Sequence, residues 1–236
     1  SISTNQHPMT KPASHYHLPD PNARETLGPG VSAIILSRDA QTGGFTRLLT
    51  MDAGATTEHA GIQRHEGPEH ALLVQGDLHD LTLDQTFRAL SYACRPTGME
   101  HGPWRSETGC TILEVHERGI DFNRPAREYF SPLQIDESAW EPLGELTSQM
   151  VLSADESNGA YTRLLRLDPG YDGSDEPSRS HTFTEEIYLI SGTVDDVARR
   201  VTVQAGSYAC RPPGMEHGPW RSPAGCLVYE LRGPTS

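Results

Sequence analysis

Two imidazoles and a carboxylate recur at matched spacing in this sequence. His65 is followed by Glu69 and then His101, and His181 is followed by Glu185 and then His217, each 116 positions after its counterpart. The chain has 11 histidines, yet the second repeat keeps only these two. A His–Glu–His set suits zinc, iron(II), manganese or nickel, and it leaves coordination positions open for water, oxygen or a substrate. On an extended strand, residues i and i+4 share a face, so each His–Glu pair points into one interior provided that its segment stays straight. The later His must then arrive from another strand. A single interior histidine is more often hydrogen-bonded than metal-bound. The matched placement with a glutamate is what marks His65, Glu69, His101, His181, Glu185 and His217 as candidate ligands.

The elements that must position them are also duplicated. SYACRPTGMEHGPWRS starts at Ser91 and SYACRPPGMEHGPWRS at Ser207; at this offset 36 of 86 positions match between 32–117 and 148–233. An ungapped register of that length means two copies of one domain. Each copy reads as short strands between Gly or Pro turns: AIILS and QMVLS, FTRLLTMD and YTRLLRLD, HALLVQG and EIYLISG, SYACRP twice, then CTILEVHE and CLVYELRG. The pattern predicts an all-β sandwich or barrel, with no well-capped amphipathic helix. Residues 1–31 read as an extended, proline-containing arm. Residues 118–147, with Tyr129, Phe130 and Trp140, read as a segment that packs and not as a flexible linker.

Lys plus Arg total 19 and Asp plus Glu total 32, a net charge of −13. Such a chain is repelled by phosphate backbones and by anionic lipid, which argues against nucleic-acid and membrane partners. No apolar run reaches the roughly 18 residues of a membrane span. The opening SISTNQHPMTKP has no charged-then-apolar leader, and Met9 is a candidate natural start, with the first eight residues a tag or extension. The expectation is a cytoplasmic protein whose four cysteines, in the matched pairs Cys94/Cys210 and Cys110/Cys226, are reduced core residues.

These motifs resemble the cupin superfamily, whose motifs read G-x5-H-x-H-x3/4-E-x6-G and G-x5-P-x-G-x2-H-x3-N. Here His181, Glu185 and Gly192 follow the first motif, and Gly206, Pro212, Gly214 and His217 follow the second. The first copy gives His65, Glu69 and Gly76, then Pro96, Gly98 and His101. HEGPEHALLVQGD and the SYACRP strings are most similar to the ChrR-like branch. The resemblance implies two tandem double-stranded β-helix (jelly-roll) barrels, each with a metal held by its His, Glu and His. The first His of the H-x-H pair is Gln63 in one copy and Arg179 in the other, and the terminal Asn is Arg105 or Arg221. The missing imidazole leaves either an open three-ligand site or a copy that has lost its metal. Arg179 cannot ligate a cation; it can anchor a substrate carboxylate or pair with Glu176. Gln63 can act as a weak ligand or a substrate hydrogen-bond donor. The second copy keeps the more regular motif, including Gly206, but the neutral Gln63 makes the first copy the expected tighter metal site.

The leading expectation is a metal-binding bicupin, a dioxygenase-like enzyme acting on a small organic molecule with iron or zinc, or else manganese or nickel. The alternatives are a zinc-dependent isomerase, cyclase or hydrolase, and a non-catalytic sensor or ligand-binding module of the ChrR kind. Dimerisation through outer strands is a further expectation from the resemblance. Trp104 and Trp220 are candidate pocket walls, whereas Glu100, Glu216, His59 and His79 read as surface groups and His70 as facing away from the metal.

Overall fold

A computed structural model describes residues 11–118, 127–130 and 137–235. The proposed start at Met9 and much of the 118–147 segment lie outside these residues. Apart from 3-10 turns at Pro21–Ala23, Glu58–Ala60 and Glu137–Ala139, the regular elements among them are strands. In chain order these are β1 (Ser14–His17), β2 (Glu25–Gly28), β3 (Val31–Arg38), β4 (Phe45–Met51), β5 (Glu69–Asp80), β6 (Gln85–Arg88), β7 (Tyr92–Arg95), β8 (Trp104–Arg105) and β9 (Cys110–His116). There follow β10 (Arg127–Phe130), β11 (Glu141–Gly144), β12 (Thr147–Asp155), β13 (Ala160–Leu167), β14 (Tyr171–Asp172), β15 (Glu185–Asp196), β16 (Val201–Gln204), β17 (Tyr208–Arg211), β18 (Trp220–Ser222) and β19 (Cys226–Arg232).

The chain forms two compact units, one from described residues 20–118 and 127–130, the other from 11–19 and 137–235. In the first, the strand order is β10-β7-β5-β9-β4-β3-β2, with β6 and β8 also paired to β5. In the second it is β1-β17-β15-β19-β13-β12-β11, with β16 and β18 paired to β15 and β14 paired to β18. Each unit is the all-β barrel that the strand pattern calls for. The strand ahead of the first copy, β1, completes the second unit, while β10, ahead of the second copy, completes the first. The 116-residue offset also reaches outside the matched segments, since β2 and β11 stand at it.

The 12-residue strands β5 and β15 are the spine of each unit. The first half of β5 pairs with β7 and β9, and the second half pairs with β6 and β8. The change of sheet comes at Gly76, whose φ of 86° no branched side chain adopts cheaply, and whose missing Cβ would sit 1.9 Å from the Gly109 carbonyl oxygen. Alternation along β5 turns Glu69, Ala71 and Leu73 inward and His70 and Leu72 outward. The inward apolar residues join Val31, Leu49, Met51, Phe87 and Ile112 in one core; Leu167, Ile187, Leu189, Val194 and Val228 form the counterpart. All four cysteines are buried and free, and burial pushes the Cys210 thiol up to about 12.

The outward faces are also buried, and each carries a polar network. Lys11, the chain's one lysine, places Nζ 3.1 and 3.0 Å from the two Glu186 oxygens, and Tyr208 donates to the same carboxylate at 2.6 Å. In the first unit, His70 stands where the second has Glu186. Its Nδ1 is 2.8 Å from Tyr92 Oη and its Nε2 3.3 Å from Glu117. Breaking a buried pair by removing one member leaves an uncompensated charge. Lys11→Ala is therefore expected to lower unfolding free energy by about 3 to 5 kcal/mol in urea titrations, whereas Lys11→Met combined with Glu186→Leu recovers most of the loss. Equal stability of the single variant and the native chain would contradict this account of how β1 is held.

Candidate metal centre

His65 and Glu69 do not share a straight strand. The chain bends at Glu66 and Gly67 before β5 begins at Glu69. The bend lies so close to the backbone of Glu117 that a Cβ on Gly67 would come within 1.7 Å of its carbonyl oxygen. It brings His65 Nε2 to 3.2 Å from Glu69 Oε2. His181 likewise precedes β15, with Nε2 3.7 Å from Glu185 Oε2. The strand geometry expected from i and i+4 is thus replaced by a turn that reaches the same meeting point. His101 and His217 come from loops, each tied by a two-bond backbone bridge to Gln63 or Arg179. The bridge fixes the two imidazole-bearing loops against each other.

In both loops the imidazole is oriented by its own turn. His101 Nδ1 lies 3.1 Å from the Met99 carbonyl and His217 Nδ1 3.1 Å from that of Met215. Donating Nδ1–H leaves Nε2 as a lone-pair donor. These Nε2 atoms lie 3.5 Å from Glu69 Oε2 and 3.6 Å from Glu185 Oε2. Burial, then Arg95, lowers His101; burial, then Arg211, pushes His217 down to about 4. Both rings are therefore neutral, as ligands must be. The structure brings together His65, Glu69 and His101 in one barrel and His181, Glu185 and His217 in the other.

Register places further groups around each carboxylate, and these are the ones that the sequence pattern did not single out. Glu69 faces Arg95 across β7 and His116 across β9, and His116 in turn faces Phe45 on β4. The equivalent row in the second unit reads Arg211, Glu185, Arg232 and Tyr161. One step along, Glu114 pairs with Arg47 at 2.6 Å, and Glu230 with Arg163 at 2.7 Å. The available signal was alternation on β9, which puts Ile112, Glu114 and His116 on one face.

The two carboxylates differ in state. Burial alone would raise Glu69, but Arg95, whose Nη1 lies 3.3 Å from Oε2, holds it well below the usual carboxylate range. Its Oε2 is nevertheless buried without a hydrogen bond. An ionised, buried oxygen with no hydrogen bond, ringed by imidazole nitrogens, fits a divalent cation. Glu185 is raised, first by burial and then by the neighbouring Glu230, while Arg211 Nη1 lies 3.2 Å from its Oε2. An arginine thus stands at similar range from the same oxygen in both barrels, and the difference lies in charge state, Glu69 being lowered and Glu185 raised.

Glu69 lies in a cavity of about 150 Å³ lined by Leu49, Leu73, Phe87, Ile112 and Trp104, with the exposed Gln63 also on its wall. Glu185 lies in a larger cavity of about 560 Å³ lined in part by Tyr16, Arg163, Trp220 and Arg232. Arg179 also lines it, but is 64% exposed and puts Nη2 2.6 Å from Glu176 Oε2. Glu100 pairs with Arg64 at the surface. Among the described residues, no helix is long and apolar enough to cross a membrane.

The family model of the ChrR cupin-like domain matches the chain twice, over residues 21–118 and 131–236. No curated protein sequence matches significantly. Among solved structures, the chain is similar to a candidate dioxygenase from Nostoc punctiforme at a TM-score of 0.69 and 15% identity, covering 98% of this chain and 81% of that one. It is similar to protein YlbA from E. coli (TM-score 0.65, 16% identity, 92% and 90% covered). A mutant oxalate decarboxylase from Bacillus subtilis gives a TM-score of 0.55 at 14% identity, with 99% and 80% covered. At such identities the likeness is one of fold.

A cation bound to the folded state alone stabilises it by about 2.7 kcal/mol at a hundred times its Kd, roughly 5 to 10 °C in Tm. Zinc added to chelator-stripped protein should therefore raise Tm by calorimetry, Glu69→Gln should lose most of that rise, and Glu185→Gln should keep it. An undiminished rise in Glu69→Gln would refute the assignment to the first barrel.

Proposed function

The chain belongs to the ChrR cupin-like family, and from that premise we propose that it is a metal-dependent bicupin dioxygenase acting on a small organic molecule in its first barrel. The observation that carries this reading is the buried Glu69 oxygen, which lacks a hydrogen bond and faces imidazoles within a cavity of mixed polar and apolar lining. His65, Glu69 and His101 would hold the metal, iron for this chemistry. When bound, it supplies adjacent open positions at which dioxygen and a substrate heteroatom meet.

The chain's own residues do the selecting. A cavity of about 150 Å³ is the size that accepts a benzene-like molecule. Leu49, Leu73, Phe87 and Ile112 form an apolar wall against which the carbon skeleton of a substrate can lie. Gln63 offers an amide at the wall, where it can donate to that polar group. Arg95 lies 3.3 Å from Glu69, keeping the carboxylate ionised and fixed. The description of one structural neighbour as a candidate dioxygenase supports the same class of reaction.

The test is oxygen consumption by iron-reconstituted protein across a panel of benzene-sized acids, phenols and ketones. Oxygen uptake should match substrate loss one to one. Ala71→Phe, which fills the cavity from β5, should reduce it at least about tenfold while iron stays bound. Tightly held zinc, with no oxygen uptake once iron replaces it, would instead favour a hydrolase or isomerase.

A further inference from the structure

The two barrels differ at one position beside the buried carboxylate. His116 and Arg232 end β9 and β19 at the same offset, and each stands directly across from its glutamate. His116 is buried, and its Nε2 lies 3.8 Å from Glu69 Oε1. Its ring centroid is 4.6 Å from that of His65. Donor atoms of His65, Glu69 and His116 all fall within 4.8 Å of one another. Atoms bound to one metal at about 2.1 Å stand roughly 3.0 to 3.4 Å apart, so a small inward movement of these side chains closes the set.

We propose that His116 is a metal ligand of the first barrel, which makes that centre three imidazoles and one carboxylate, and that Arg232 denies the equivalent position to the second barrel. The inference rests on the metal-binding reading above and names a donor from outside the cupin motifs. It restores the imidazole lost at Gln63, but from the last strand of the barrel and not from the loop before β5. The ring is held in place by its neighbours. Phe45 stacks on it at 4.5 Å and 19°, and Glu114 Oε2 lies 3.1 Å from Nε2. Arg47 also pairs with Glu114 Oε2, at 2.6 Å, so that carboxylate keeps a partner when the ring turns toward a cation.

Charge separates the barrels in the same direction. Around Glu69 stand two carboxylates, Glu69 and Glu114, and two guanidinium groups, Arg47 and Arg95. Around Glu185 stand two carboxyls, Glu185 and Glu230, and three guanidinium groups, Arg163, Arg211 and Arg232. The third is always charged and cannot ligate, so it both removes a donor and repels a cation.

Chelator-stripped protein titrated with Co²⁺ tests this, with circular dichroism confirming the fold of each variant. The native chain should bind one equivalent tightly, and X-ray absorption at that stoichiometry should count three imidazoles. His116→Arg should weaken the tight site about a hundredfold or more, beyond what loss of an outer hydrogen bond costs. Arg232→His should add a second measurable equivalent. Two imidazoles in the native spectrum, or a folded His116→Arg or His116→Ala variant with unchanged affinity, overturns the role of His116 and leaves the metal reading intact. No binding of cobalt, iron or zinc by the native chain overturns both. If His116→Arg does not fold, the native imidazole count decides.

Discussion

An ionisable carboxyl heads the longest strand of each barrel, facing inward and almost out of water. Leaving such a group unanswered costs several kcal/mol, so its surroundings are constrained more tightly than any other part of the molecule. The answer comes from cross-strand neighbours, which the antiparallel register sets beside it without choice. Arg95 and Arg211 answer from one side in both copies. The bends at Glu66–Gly67 and Thr182–Phe183 add an imidazole from above, and the bridged loops add His101 and His217. The bend at Gly76 then carries the same strand into a second sheet, which closes the apolar chamber around the carboxyl.

Duplication makes the constraint legible, because the scaffold is constant and the answer is not. The first barrel places His116 opposite the carboxylate and leaves one oxygen without a hydrogen bond. The second places Arg232 there, and its acid is raised by burial and by the neighbouring Glu230. The next residue along the row follows suit. Arg47 and Arg163 lie over Phe45 and Tyr161 alike, but Phe45 also stacks on the His116 imidazole, where Tyr161 meets the Arg232 guanidinium. A change at one buried position has therefore been matched by its neighbour, as expected where polar groups must all find partners.

The fold was legible in the sequence because its signals are local and repeated: alternating apolar runs, Gly and Pro turns, and a constant offset. The His–Glu–His sets were legible for the same reason. The geometry behind them was not, since a bend at Gly67 and a straight strand both deliver His65 to Glu69, and four residues of spacing cannot tell them apart. His116 escaped notice because its counterpart is an arginine, so a search for matched residues passes over it. The partnership of Lys11 with Glu186 spans most of the chain, and only pairing of β1 with β17 reveals it. Periodicity reports which face a residue occupies. It does not report which distant strand lies opposite.

The two barrels therefore offer a cation different surroundings, although one strand pattern built both. A cation entering the first meets an ionised oxygen in a near-neutral surround, and the small chamber limits what can follow it. In the second, it meets an acid hydrogen-bonded to Arg211 and raised by Glu230, and an excess guanidinium at the place where a fourth donor would stand. Coulomb energy inside a poorly solvated chamber is several times larger than at the surface, so one unit of charge at this range outweighs small differences in ligand distance. The wider second cavity, lined in part by arginines and aromatic rings, has room for a larger polar guest. Selection between these outcomes rests on the residue that faces the glutamate across the last strand.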